Sequence, residues 1–290
     1  QVLVDAKASV SVQDNFGMTP MHVAAVEGHS GAAQVLVDAK ASVDQNTDSY
    51  TPMHHAAQNG HSGVVQVLAD AKANVNARGR RGFSPLHHAA ENGHHGTVLV
   101  LVDAKANVDA PLENKKTALH YAAECGNLAV AQLLLDANAN PNVYCLHHQT
   151  PVYYAAQNSH DAIVQMLVDA KASVDVRDDN LKTPLHFAAA NGDSGSAQVL
   201  VNAKAEVDAR DKKWPMHGFR TPLHYAAEKG DSATVQVLVA AKASLDVEDK
   251  HGYTPFYLAT SNKRSAAARV LLDAKASLQG LWNSWATVIA

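Results

Sequence analysis

Ser84-Pro85-Leu86-His87-His88-Ala89-Ala90 decides the fold of this chain, together with the apolar stretch Val98 to Val102 and the run Asp103-Ala104-Lys105-Ala106 that closes it. Ser84 is a residue type that caps a helix N-terminus. Pro85 suits the first helical position, where its missing N–H is not needed. The Leu and Ala residues that follow form an apolar face at helical spacing. Gly93 then ends a short helix, as a C-terminal cap does.

The same phrase starts at Thr19, Thr51, Ser84, Thr117, Thr150, Thr183, Thr221 and Thr254, at spacings of 32, 33, 33, 33, 33, 38 and 33 residues. A second phrase, Val-Leu-Val-Asp-Ala-Lys-Ala-Ser-Val, recurs out of phase and is already under way at Gln1. The chain therefore reads as a leading half unit and eight full ones, and is expected to be a piece of a longer polypeptide. Each unit reads as turn, helix, turn, helix. One such helix pair cannot cover its own apolar face, but stacked pairs can share a continuous core.

These residues resemble the ankyrin-repeat family, which has a period of about 33 residues and a Thr-Pro-Leu-His-x-Ala phrase. The resemblance runs from Gln1 to about Ser277. It implies an all-α solenoid of stacked helix-turn-helix units with β-hairpin-like loops. It also implies a single array: residues 1–13 as the end of a leading repeat, then 14–45, 46–78, 79–111, 112–144, 145–177, 178–210, 211–248 and 249–277, with 278–290 as a C-terminal cap or tail.

Three departures stand out. Where the family usually ends the second helix with Gly, this chain has Lys7, Lys40, Lys72, Lys105, Lys171, Lys204, Lys242 and Lys275, with Asn138 once. A non-Gly residue in the left-handed conformation costs about 1–2 kcal/mol. Either the repeats tolerate that cost or the cap has another shape. The seventh repeat carries five extra residues in its hairpin loop, between Asp211 and Arg220. Trp214, Met216, Phe219 and Arg220 are the residue types enriched at binding hot spots; they either contact a partner or fold back on the next repeat. The tail holds Trp282 and Trp285, expected to cap the open end of the array.

Composition supplies no competing chemistry. Twenty-four Lys plus Arg against 28 Asp plus Glu give a net charge of −4, which argues against broad nucleic-acid binding. Two cysteines, Cys125 and Cys145, agree with a reducing, intracellular compartment, cytoplasmic by default. Of the 17 histidines, ten fall at repeat positions: six in the signature and four in the turn between helices. Cys145-Leu146-His147-His148 lacks a second Cys at zinc-finger spacing. No phosphate loop, dinucleotide fingerprint or nucleophile elbow occurs. No enzyme, cofactor or metal is expected.

The resemblance puts function on the hairpin tips and on the concave face of the first helices. The partner-binding set on those positions is Phe16, Met18, Tyr50, Arg80, Arg81, Phe83, Trp214, Met216, Phe219, Arg220 and Tyr253. Phe16, Met18, Tyr50 and Phe83 come from consecutive repeats and are expected to form one apolar streak beside Arg80 and Arg81. Such a streak either anchors a partner or shields neighbouring loops. The partners are other proteins, with the chain acting as a scaffold or as one subunit of a large complex; neither nucleic acid nor membrane insertion is expected. The alternative is a targeting or regulatory arm of a longer enzyme.

Overall fold

A computed structural model describes residues 9–212 and 218–276. Their sixteen α-helices come in pairs, one pair per repeat. The chain divides into two compact units, residues 1–143 and 144–290, one residue from the expected repeat boundary at 144/145.

In the first unit the first helices of each repeat are α1 (Pro20–Glu27), α3 (Pro52–Gln58), α5 (Pro85–Glu91) and α7 (Ala118–Cys125). The second helices are α2 (Ser30–Asp38), α4 (Ser62–Asp70), α6 (His95–Asp103) and α8 (Leu128–Asp136). First helices pack on first helices and second on second, in sequence order. The second unit repeats the scheme. Its first helices are α9 (Pro151–Gln157), α11 (Pro184–Asn191), α13 (Pro222–Lys229) and α15 (Pro255–Ser261). Its second helices are α10 (Asp161–Asp169), α12 (Ser194–Asn202), α14 (Ser232–Ala240) and α16 (Ser265–Asp273). The core is made of the positions the periodicity marks. Met53, Ala56, Ala57, Val64, Val65 and Leu68 are all fully buried, as are Leu185, Ala188, Ala189 and Leu200 in the second unit. Deleting one such leucine to alanine costs about 2–5 kcal/mol.

Three devices join neighbouring repeats. The turn glycine is one: Gly28 has φ 76°, and a Cβ there would lie 2.6 Å from Nδ1 of His61 in the next repeat. His61 uses that closeness to bond the Val26 carbonyl through Nε2 at 2.9 Å. Side chains of Asp44, Asn76 and Asp109 form a second device, each accepting a backbone N–H one repeat on, from Asn74, Asn107 and Asn140, at 2.8–3.0 Å. The hairpins supply the third: Glu113 N–H bonds the Arg81 carbonyl, and Lys212 N–H the Asn180 carbonyl.

Among the described residues the lysines at the second-helix ends adopt the left-handed conformation, with φ between 62° and 69°, and Asn138 has φ 63°. The bonding explains why this holds. Lys40 N–H reaches the Val37 carbonyl and Ala41 N–H the Leu36 carbonyl, both at 2.9 Å, which satisfies carbonyls a helix end leaves orphaned. The same pair of bonds recurs at Lys72, Lys105, Lys171, Lys204, Lys242 and Lys275. Four of the aspartates two residues earlier are held by their own helices: Gln34, Gln66, Gln132 and Gln165 donate to Asp38, Asp70, Asp136 and Asp169.

The insertion leaves its hairpin base intact. Asp211 N–H bonds the Arg220 carbonyl at 3.0 Å, as Asp178 bonds Lys182 and Asp249 bonds Tyr253 in neighbouring repeats. Trp214 and Met216 of that insertion lie outside the described residues, as do Trp282, Trp285 and the rest of 277–290.

Candidate protein-binding face

The signature histidine organises the face that hairpins and first helices share. Thr51 N–H donates to His54 Nδ1 at 3.1 Å, so Nδ1 is the acceptor and Nε2 carries the proton. Nε2 then donates to the Phe83 carbonyl of the next hairpin at 3.1 Å. His186 and His224 make the same two bonds, the outward ones to Arg220 and Tyr253 carbonyls. Burial favours the neutral ring and lowers these three pKa values to about 4. Imidazoles locked this way hold the fold and have no spare proton to trade. In the fifth repeat Tyr153 replaces the histidine and donates instead to Asp178 at 2.5 Å, and Thr150 Oγ is left without a partner among the described residues.

In the first unit the aromatic side chains form a connected row. His55 lies 6.0 Å from Tyr50, Tyr50 lies 5.3 Å from His88, His88 lies 5.0 Å from Phe83, and Phe83 lies 5.5 Å from Tyr121. Lys116 places its ammonium 5.3 Å from the Tyr121 centroid and 2.7 Å from Glu124. Tyr50 and Phe83 are therefore brought together, through His88, but both are half-buried rather than free anchors. Met18 is half-buried at its hairpin base, whereas Phe16 stands at a tip and is 82% exposed. Arg80 turns to Asp48 of the preceding hairpin at 3.2 Å, and Arg81, at φ 56°, is exposed beside it.

In the second unit Phe219 is 53% exposed and holds φ 60°, which costs a bulky residue about 1–2 kcal/mol. Tyr253 stacks on Tyr257 at 4.5 Å. Arg220 is a correction. Its side chain is 2% exposed, Nη1 lies 2.8 Å from Glu228 and Nε lies 3.1 Å from the fully buried Asp249. A guanidinium spent on two internal carboxylates is not available to a partner, so Arg220 leaves the binding set and becomes part of the frame.

The sequence reading missed the ring column that follows the signature histidine: His55, His88 and Tyr121 in one unit, Tyr154, Phe187 and Tyr225 in the other. The signal was an aromatic residue at that place in six successive repeats. Lys182 lies over two of these rings, 5.0 Å from Phe187 and 4.4 Å from Tyr225. His147 and His148 do converge, on Asp179, through Nδ1 at 3.2 and 3.0 Å. Their hydrogen bonds hold the Asp179 carboxyl below its usual range. Among the described residues no three His, Cys, Asp or Glu side chains are placed to hold a metal ion. Cys125 and Cys145 are both free thiols.

Helix pairs piled in sequence order within each unit, several tied to the next hairpin by a buried imidazole, define stacked repeats. The family model described as ankyrin repeats (3 copies) matches residues 1–79, 71–145, 138–211 and 212–279. The chain belongs to the ankyrin-repeat family. Such repeats are generally protein–protein interaction modules, and the proteins that carry them are typically non-enzymatic scaffolds. A comparison with curated proteins finds no match. No helix among the described residues is long and apolar enough to cross a membrane.

Proposed function

We propose that this chain is a non-catalytic scaffold that holds partner proteins on its hairpin tips and on the first-helix side. The observation that supports it most is the row Tyr50–His88–Phe83–Tyr121 on three consecutive repeats, in which half-buried Tyr50 and Phe83 rest on buried His88 and Tyr121 beside Arg80 and Arg81. Aromatic anchors with arginine at the rim are what interface centres use. Phe16, Phe219 and Tyr253 extend the candidate set to other hairpins. The residues that resemble chemical groups elsewhere are neutral, bonded imidazoles with lowered pKa values, which favours holding over catalysis.

The test separates binding from folding. Tyr50 and Phe83 pack on histidines of their own and the next repeat, so Tyr50→Ala with Phe83→Ala lowers the melting temperature as well as capture. Phe16→Ser is the clean variant, because an 82% exposed ring contributes little to the fold. Partner recovery from affinity purification, quantified by mass spectrometry, is expected to fall for Phe16→Ser with an unchanged melt. Unchanged recovery in both variants would remove this face from consideration.

A further inference from the structure

Three positions meet on this face in the fourth and seventh repeats: the residue before the capping Thr, the residue five places on, and the residue eight places on. In the fourth repeat they are Lys116, Tyr121 and Glu124. The ammonium lies 5.3 Å from the ring and 2.7 Å from the carboxylate. In the seventh they are Arg220, Tyr225 and Glu228. There the guanidinium lies 5.9 Å from the ring and 2.8 Å from the carboxylate. Cation, aromatic face and acid thus form one internal unit, built twice at the same register.

The third repeat has the ring and the acid without the cation: Phe83, His88 and Glu91. Phe83 lies against His88 at 5.0 Å and brings no charge. Glu91 is half-buried, and no ion pair to its carboxylate is found among the described residues. Burial, and then the neighbouring Glu124 charge, push its carboxyl pKa up, and Lys116 offsets this only in part. His88 is 6% exposed, and its Nε2 has no hydrogen-bond partner among the described residues. A half-buried carboxylate at the register where Glu124 and Glu228 meet a cation and a ring suits an organic cation. A divalent metal would need several more oxygen ligands.

We propose that a lysine or arginine side chain of the partner protein docks against Glu91, beside Phe83, His88 and Tyr121, and completes in the third repeat the trio that Lys116 and Arg220 complete from within. This rests on the protein-binding reading above and deepens it by naming the charge the partner presents.

The full chain, labelled with 13C at the glutamate carboxyls, is titrated with the peptide Ac-Ala-Lys-Ala-NH2 and with Ac-Ala-Gln-Ala-NH2 as the uncharged control. The Glu91 resonance is expected to saturate with the lysine peptide at about fivefold lower concentration than with the control. Glu91→Gln is expected to remove that difference in the shifts of the Tyr121 ring. Phe83→Lys supplies the ammonium internally, and is expected to remove it too. Equal response to both peptides, or a preference that survives both substitutions, overturns the proposal. The two readings fail separately. If partner recovery depends on Phe16 and the Glu91 resonance ignores the lysine peptide, only the cation site is lost. If the resonance responds while neither Phe16→Ser nor the Tyr50/Phe83 pair alters recovery, only the face is lost.

Discussion

The two units solve the same problem with different chemistry. Each repeat must tie its first helix to the next hairpin through a polar group with no water around it. In the first unit that face holds His22, His54, His55, His87 and His88, all with pKa values lowered, chiefly by burial. In the second unit His186 and His224 remain, but Tyr153 donates to Asp178, Tyr225 donates to Asp211, and Arg220 binds Glu228 and Asp249. Tyr154, Phe187 and Tyr225 stand where the first unit has His55 and His88. The difference teaches that the frame accepts more than one kind of buried polar group at this place. Whether that group is a neutral imidazole or a charged pair then sets how the repeat responds to acid and to substitution.

The largest expected effect sets the units apart by pH. An imidazole whose folded pKa is about 4 against an ordinary 6.5 takes up its proton more readily unfolded. Its stabilisation is therefore complete above pH 6.5 and lost as pH falls toward 4. Each such ring accounts for up to about 3 kcal/mol at the bottom of that window. Hydrogen exchange, corrected for intrinsic rate, is expected to show α3 and α5 opening before α9, where Tyr153 replaces the histidine, as pH drops from 7 to about 4.5. Simultaneous opening would erase the contrast. The next effect lies in the second unit. Arg220→Ala leaves Asp249 and Glu228 without their cation and is expected to cost about 3–5 kcal/mol in a urea melt. A loss under 1 kcal/mol would return Arg220 to the surface set.

Smaller effects sharpen the same contrast. Tyr153→Phe takes the hydroxyl from Asp178, which keeps the Asn180 and Lys182 N–H bonds. The expected loss is about 1–3 kcal/mol by denaturant melt, the cost of an unsatisfied buried acceptor. Lys105→Gly relieves a left-handed residue at φ 67° without touching the Schellman bonds. A gain of up to about 1 kcal/mol is expected, and any loss would mean the lysine side chain supports the cap.

Much of this was legible in the residues because a repeat states its rules many times over. The capping Thr, the N1 Pro and the turn Gly place every helix start and stop, and local bonding suffices to explain them. Arg220 was misread for the opposite reason. Near it in the chain stand Trp214, Met216 and Phe219, the company of a binding loop, whereas the acids it serves are eight and 29 residues on. Tyr50 and Phe83 looked like exposed anchors because their hairpins are loops. They are half-buried because His88 and Tyr121 of the following helices pack on them.

The sequence by itself determined the repeat, its register, the helix pairs and the family, since all of these follow from short-range capping and a periodic apolar face. Only the tertiary structure decided which polar side chains are spent internally and which remain for a partner. That choice depends on contacts between residues about 30 positions apart, where burial and a neighbour's charge, rather than residue type, set what a group can still do.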